Sequence, residues 1–356
     1  MSDYTSNISL ADAVAMLGAI KRAVVVTHGK PDGDAYGSVT ALTLTLRKLG
    51  CDAVGWFVPP IQECFLSLDG SEVTREFEDQ AAAPFFPQSD PSYSGDDLLI
   101  IVDTGAWAQV AAMREVIEPH LGRALIIDHH LSGDVIAKHR LIDSKAAATC
   151  ELLVDVLDAL GATRPDLNLL DLAVCEALFL GIASDTGWFR FSNTTAHTHA
   201  TAARLVDAGV NSAAVYERFE QNDSISRIKL LARALSSLTF HADERVAIMT
   251  LRAEDFQLSG AQLEETERFI DVPQSIESLE LIVFIIEPLR DLERKEEQGV
   301  IRMSFRSKPG ELAVNVAELA RQFGGGGHAR AAGAKVKGQF TDVVVKVTDV
   351  AVASLK

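Results

Sequence analysis

The sequence predicts an α/β protein: an N-terminal, mostly parallel sheet flanked by helices, joined by a helical linker to a smaller α/β C-terminal domain, with a cleft between the two. Three observations predict it. Short aliphatic runs alternate with stretches of helical length through roughly the first 200 residues, the pattern of βαβ units. A polar-faced stretch over 216–238 then reads as one long helix, leading to new apolar runs at 246–251 and 279–286. The chain has 356 residues, enough for about two domains with separate cores. The expected divisions are 1–220, a linker over 221–240, and 241–356.

In order along the chain, Ala23-Val24-Val25-Val26-Thr27 is the first strand, followed by the loop His28-Gly29-Lys30-Pro31-Asp32-Gly33-Asp34. A helix over 35–49 follows and stops at Gly50, a residue suited to the position after a helix end. Strands are predicted at 52–58, 98–102 and 124–127, and helices at 106–117, 149–160, 169–183 and 196–208. Residues 84–97, rich in Pro, Ser, Gly and Asp, read as a loop within the domain, because strand alternation resumes at once. Near the C-terminus, Val314, Ala317, Leu319 and Phe323 have helical apolar spacing and precede a tetraglycine.

Composition narrows the function classes. With 47% hydrophobic and 23% charged residues the chain is that of a folded protein. A formal charge of −17 excludes gripping long nucleic acid by bulk electrostatics, which needs clustered Lys and Arg. The average hides an asymmetry, since eight basic residues face three acidic ones between Arg302 and Lys346. Cys51, Cys64, Cys150 and Cys175 form no C-x-x-C pair and sit among apolar neighbours, as expected in a reducing compartment. The first residues lack a basic leader, and apolar runs such as 281–286 fall short of the ~18 residues of a membrane span. A cytoplasmic location without a membrane partner is expected; a homodimer is compatible with the sequence.

Open α/β sheets bind ligands beyond the carboxyl ends of their strands. Three predicted strands end in the same chemistry: the first exits into His28, Asp32 and Asp34, the strand at 98–102 into Asp103-Thr104-Gly105, and the strand at 124–127 into Asp128-His129-His130. Asp185, in Ser184-Asp185-Thr186-Gly187, follows a helix and closes the set. Taken singly, each has a plainer reading. Asp32-Gly33-Asp34 and Asp103-Thr104-Gly105 are most often turn chemistry, and Asp128-His129-His130 is as often a helix cap with solvated histidines. Together they are different, because four or more carboxylates in one place repel and take up protons unless cations hold them ionised. Oxygen-rich ligands with a few imidazoles suit Mn²⁺ or Mg²⁺ better than zinc, and six ligands suit two ions about 3.5–4 Å apart.

These residues resemble the four motifs of the DHH phosphoesterase superfamily: His28-x-x-x-Asp32-x-Asp34-Ala35 with Gly37-Ser38, Asp103-Thr104-Gly105, Asp128-His129-His130 and Ser184-Asp185-Thr186-Gly187. Phe323-Gly324-Gly325-Gly326-Gly327-His328-Ala329-Arg330-Ala331-Ala332-Gly333 resembles the signature of the DHH-associated C-terminal domain. The resemblance runs from about Val24 to Gly333, in the family's order. It implies that His28 and Asp32 hold one metal, that Asp34, His129 and Asp185 hold a second, and that Asp103 bridges them. It also implies that His130 faces the scissile phosphate, that Asp128 orients an imidazole, and that Mn²⁺ is the usual ion. One departure stands out: relatives often carry an arginine shortly after Asp-Thr-Gly, whereas Ala106-Trp107-Ala108-Gln109-Val110 follows here. Arg190 is a substitute for it, or an exposed strand arginine.

A glycine run usually means a flexible linker, but this one lies between a helix and a Lys335-Val336-Lys337 strand pattern. Gly325, Gly326, Gly327 and His328 therefore read as a phosphate or nucleotide contact, with close helix packing as the alternative. In Ser304-Phe305-Arg306-Ser307, Ser304 and Arg306 are a candidate phosphate contact or one solvated strand face. The resemblance implies a hydrolase that cleaves short oligoribonucleotides or dinucleotides to nucleoside 5′-monophosphates by two-metal activation of water. It leaves open an adenosine 3′,5′-bisphosphate phosphatase, a cyclic or linear dinucleotide signal phosphodiesterase, and a nucleotide sensor that has lost catalysis. The sensor predicts a substituted ligand, and all six are present.

Overall fold

The computed structural model describes residues 4–59, 61–77, 97–287, 299–310 and 313–355. Two compact units divide between Asn222 and Asp223. In the first, β1 (Arg22–Val26), β2 (Asp52–Phe57), β3 (Thr74–Glu76), β4 (Asp97–Val102), β5 (Ala124–Asp128) and β6 (His139–Ile142) form one sheet. Its order is β3-β2-β1-β4-β5-β6 and every pairing is parallel. Both faces are covered, so the strands are apolar on both sides. Val25, Ile100 and Ile127 face one core, while Val24, Ile101 and Ile126 face another.

The strand order reverses between β1 and β4, where such sheets open a crevice at their carboxyl ends. Register keeps those ends level: Val26 pairs with Ile101, and Val102 with Ile127. Helices α1 (Leu10–Ala19), α2 (Gly33–Lys48), the single turns α3 (Glu63–Leu66) and α4 (Arg114–Ile117), α5 (Thr149–Thr163), α6 (Leu172–Asp185), α7 (Ala196–Asp207) and α8 (Ser212–Glu220) complete the unit. Helices α2 and α6 meet backbone to backbone at Gly37, and Gly181 of α6 lies against Cys150 of α5 and Asp34 of α2. A Cβ on Gly37 would sit 2.3 Å from the Ala177 carbonyl, and one on Gly181 would sit 2.2 Å from Cys150 Sγ. Those two glycines bring the start of α2 and the end of α6 to one place.

The second unit holds α9 (Ile225–Ser236), β7 (Thr239–His241), β8 (Val246–Leu251), α10 (Ala253–Ser259), β9 (Leu281–Ile286), β10 (Val300–Ser307), α11 (Val316–Arg321), β11 (Gly326–Gly327), β12 (Ala331–Lys337) and α12 (Phe340–Ala353). Its sheet order is β11-β12-β10-β9-β8-β7, mixed in direction. Residues 301, 303 and 305 of β10 are buried while 302, 304 and 306 are half-buried, the period of a strand with one covered face.

Several expectations change. The single helix over 216–238 is broken at residues 221–224, because Asn222, Asp223 and Ser224 favour caps over helix interiors; Ser224 caps α9 by accepting from the Arg227 N–H. Leu230 and Ala234 of α9 are buried in a core of the second unit. The helix over 106–117 is two short 3₁₀ and α turns, because side chains pin its first part as loop: Asp134 accepts from the Trp107 N–H at 2.7 Å, and Thr104 Oγ1 from the Ala106 N–H at 3.3 Å. Asp97 opens β4 and is not loop, whereas residues 84–96 lie outside the described residues. Among the described residues, no helix is long and apolar enough to cross a membrane.

Candidate active site

The carboxyl ends of β1, β4 and β5 bring five predicted ligands, His28, Asp32, Asp34, Asp103 and His129, together with the sixth, Asp185, at the end of α6. Asp32 caps α2, its Oδ1 accepting from the N–H groups of Asp34 at 3.1 Å and Ala35 at 3.0 Å. Asp34, in the first turn of that helix, is fully buried and crosses to α5. Its Oδ2 accepts from Thr149 N at 2.6 Å and its Oδ1 from Cys150 N at 2.9 Å. The residue before α5, Ala148, has no side chain able to cap it, so the carboxylate of Asp34 supplies the cap from another element.

Asp103 lies just past β4 with φ +60, a left-handed conformation that aspartate tolerates better than most residues. Its Oδ2 is 3.5 Å from His28 Nε2 and its Oδ1 is 3.6 Å from His129 Nε2. His28 Nε2 is also 3.9 Å from Asp32 Oδ1, and His129 Nε2 is 3.4 Å from Asp185 Oδ2 and 3.9 Å from Asp34 Oδ2. Two trios result, His28/Asp32/Asp103 and Asp34/His129/Asp185, with a third, Asp103/His129/His130, between them.

These residues fit divalent cations on three counts. His28 Nδ1 donates to the Gly29 carbonyl at 3.1 Å and His129 Nδ1 to the Ala146 carbonyl at 3.3 Å; a carbonyl only accepts, so in the neutral ring, the form that binds metal, each Nε2 turns a lone pair on the carboxylates. Acceptors facing acceptors at 3.4–3.9 Å are repulsive without a cation, and two ligands ~2.1 Å from one ion at roughly a right angle would be about 3 Å apart. Charge agrees. Burial, then the charges of Asp34, Asp32, Asp128 and Asp185, hold the Asp103 carboxyl well above the usual range, and burial followed by Asp34 and Asp32 raises that of Asp185.

Beside the cage, Asp128 is fully buried at the end of β5. Its Oδ1 accepts from His130 Nδ1 at 2.7 Å and from the backbone N–H groups of His129 at 2.8 Å and His130 at 3.2 Å. Its Oδ2 accepts from the Tyr4 hydroxyl at 2.6 Å. Burial pushes the Asp128 carboxyl up, but the bonds from His130 and Tyr4 outweigh it and leave it below its ordinary value. The same pairing raises the His130 imidazole against burial, while burial and the charge of Asp128 push the Tyr4 hydroxyl far up, so it remains a donor.

Residues 22–182 match the DHH family, N-terminal domain, and residues 257–353 match the DHHA1 domain. The chain is 30% identical over 318 residues to the bifunctional oligoribonuclease and PAP phosphatase NrnA of Thermus thermophilus, covering 89% of this chain and 85% of that one. The chain belongs to the DHH family. It is a metal-dependent hydrolase of phosphate esters. The NrnA of Bacillus subtilis is 26% identical over 313 residues, 87% of each chain. An exopolyphosphatase-related protein from Bacteroides fragilis shares the fold over 99% of this chain and 98% of its own, with TM-score 0.83 at 22% identity.

The remaining sequence candidates lie in the second unit, except Arg190. That arginine is not on a strand: it follows a left-handed turn through Gly187, Trp188 and Phe189, and its Nε donates to the Gly187 carbonyl at 2.6 Å. Ser304 is half-buried on β10, and Arg306 on the same face pairs with Asp271 at 3.2 Å. The glycine run leads out of α11 and forms β11. Gly325 and Gly327 approach β12 too closely for a side chain, since a Cβ would meet the Gly333 carbonyl at 2.1 Å and the Ala331 carbonyl at 2.6 Å respectively. The packing partner is thus a strand, not a helix. Gly326 is open, with nothing within 4 Å of an added Cβ, and His328 is exposed. Sequence reasoning missed Tyr4 and the α5 N–H groups. The first carries no motif, and backbone donors carry no residue signal at all.

Proposed function

We propose that this chain is a phosphodiesterase that hydrolyses short oligoribonucleotides or dinucleotides to nucleoside 5′-monophosphates with two divalent cations, Mn²⁺ the favoured ion. The observation that carries this reading is the pair of ligand trios meeting at Asp103, whose two oxygens face different imidazoles. His28 and Asp32 would hold one cation, Asp34, His129 and Asp185 the other, with Asp103 bridging. When bound, the cations neutralise the phosphate's oxygens and lower the pKa of the attacking water.

The chain's own groups do the rest. Asp128 fixes His130 through Nδ1, which leaves Nε2 to donate to a phosphate oxygen as charge develops on it. The raised pKa of His130 favours the charged donor. Within the second unit, Ser304, Arg306, the open face of Gly326 and exposed His328 are groups suited to a phosphate or a sugar, and a phosphate would compete with Asp271 for the Arg306 guanidinium. An acidic chain with only a local basic stretch favours a short ligand over long nucleic acid. A second reading, adenosine 3′,5′-bisphosphate 3′-phosphatase, has the support of relatives named for both activities.

The test is a rate panel of pApA, pGpG, adenosine 3′,5′-bisphosphate and a cyclic dinucleotide, with Mn²⁺, Mg²⁺ and chelator. Release of mononucleotides from the linear dinucleotides with Mn²⁺, lost on chelation and in Asp103→Ala, is expected. Equal slow release by wild type and Asp103→Ala would end the proposal.

A further inference from the structure

Residues 4–9 run along the exposed edge of β6 and close it with side chains. Ser6 Oγ accepts from Ile142 N at 2.7 Å and donates to Ile142 O at 2.9 Å; Asn7 Oδ1 accepts from Arg140 N at 2.7 Å, and Asn7 Nδ2 donates to Lys138 O at 2.9 Å. Asn7 N adds a backbone bond to Arg140 O at 3.0 Å. Edge groups that would otherwise face solvent are thus paired by two polar side chains. The ladder delivers one aromatic ring to the site.

Tyr4 sits in a slot between two glycines. A Cβ on Gly105 would lie 1.9 Å from the Tyr4 hydroxyl oxygen, and one on Gly133 would lie 2.5 Å from the ring. Gly105 belongs to the loop that carries Asp103, and Gly133 to the loop that follows His130. The hydroxyl ends at Asp128 Oδ2, the oxygen that His130 does not use.

From this geometry, and resting on the activity proposed above, we propose that Tyr4 is a positioning residue: its hydroxyl locks the Asp128 carboxylate so that His130 is aimed at the substrate phosphate. A tether serving only to fix the N-terminal segment could end on any carbonyl; this one completes the shell of a carboxylate with no solvent exposure. Without it, Oδ2 is left without a donor in a site closed to water, and the carboxylate can turn toward a new one. The His130 ring follows, because Asp128 Oδ1 is the partner of its Nδ1. The cage ligands keep their own supports: Asp34 has α5, His28 has Gly29 and His129 has Ala146.

Tyr4→Phe keeps the ring and removes only the hydroxyl. With pApA and saturating Mn²⁺, the variant should lose roughly tenfold in kcat, the scale of such supporting bonds, with KM and half-activating Mn²⁺ concentration little changed. Histidine-labelled protein with Mg²⁺, examined by NMR, gives a readout independent of turnover: the His130 Nδ1 proton should exchange faster with solvent in the variant. Wild-type kcat and exchange in Tyr4→Phe would overturn the inference, as would a loss that appears in the Mn²⁺ requirement and not in kcat. If wild type hydrolyses nothing in the panel, the functional proposal fails, while the exchange measurement still decides the Tyr4 link.

Discussion

Replacing Asp34 by alanine separates its two duties. The carboxylate holds two buried N–H groups of α5 and lines the Asp34/His129/Asp185 trio. Losing two hydrogen bonds to a charged acceptor costs about 1.5–3 kcal/mol each, so roughly 3–6 kcal/mol in all. Against that, the metal-free site loses one of several mutually repelling carboxylates, a gain of similar kind that offsets part of the loss. Without cation the variant should therefore melt only moderately below wild type. With Mn²⁺ at about 100 times the dissociation constant, wild type gains ~2.7 kcal/mol, which is about 5–10 °C for a unit of this size. Asp34→Ala should show little of that rise. Thermal melts with EDTA and with Mn²⁺ measure both terms in the same samples. An equal Mn²⁺-induced rise in wild type and variant would refute the assignment of Asp34 to the cage, whatever happened to activity.

The raised carboxyls of Asp103 and Asp185 mean that the folded, metal-free protein binds more protons than the unfolded chain. Its stability should accordingly fall as pH rises from about 5 to 8, and added Mn²⁺ should raise the melting temperature more at the upper end. His130→Ala should lower kcat on the order of 100-fold with Mn²⁺ affinity largely kept, measured by steady-state kinetics and titration calorimetry. Gly326→Ala meets nothing within 4 Å, so its melting temperature should be unchanged while KM rises if the glycine face binds substrate; Gly325→Ala drives a Cβ to 2.1 Å from the Gly333 carbonyl and should unfold the hairpin. Gly37→Ala, with its Cβ 2.3 Å from the Ala177 carbonyl, should destabilise the first unit by a few kcal/mol in denaturant melts.

The proposed cage could be read from the sequence because its information is local and chemical. Each ligand ends or follows an element whose apolar run marks it, as Leu125-Ile126-Ile127 marks Asp128-His129-His130, and a parallel sheet aligns those ends. The rest depends on encounters that no residue type announces. Asp34 caps a helix 115 residues on, and Tyr4 meets Asp128 across 124. Short edge strands such as β3 and β6 lack the length for a periodic signal, and the Asn222-Asp223-Ser224 break weighed less than the helical pattern around it. The tetraglycine was read by what glycine permits; which glycines face β12 and which stay open depends on the register of β11, which pairs Gly326 with Gly333.

An acidic chain that takes an anionic substrate must reverse its charge locally, and the fold goes part of the way unaided. The first N–H groups of α2 hold Asp32, those of α5 hold Asp34, and hydrogen bonds from Tyr4 and His130 hold Asp128, so three carboxylates are tied before any cation arrives. Asp103 and Asp185 are held least and are the two whose carboxyls rise. The unbalanced charge is therefore concentrated where the two trios meet. A divalent pair binding there would relieve that repulsion and create the positive centre that a phosphate requires, so stability and catalysis should respond to the same ions.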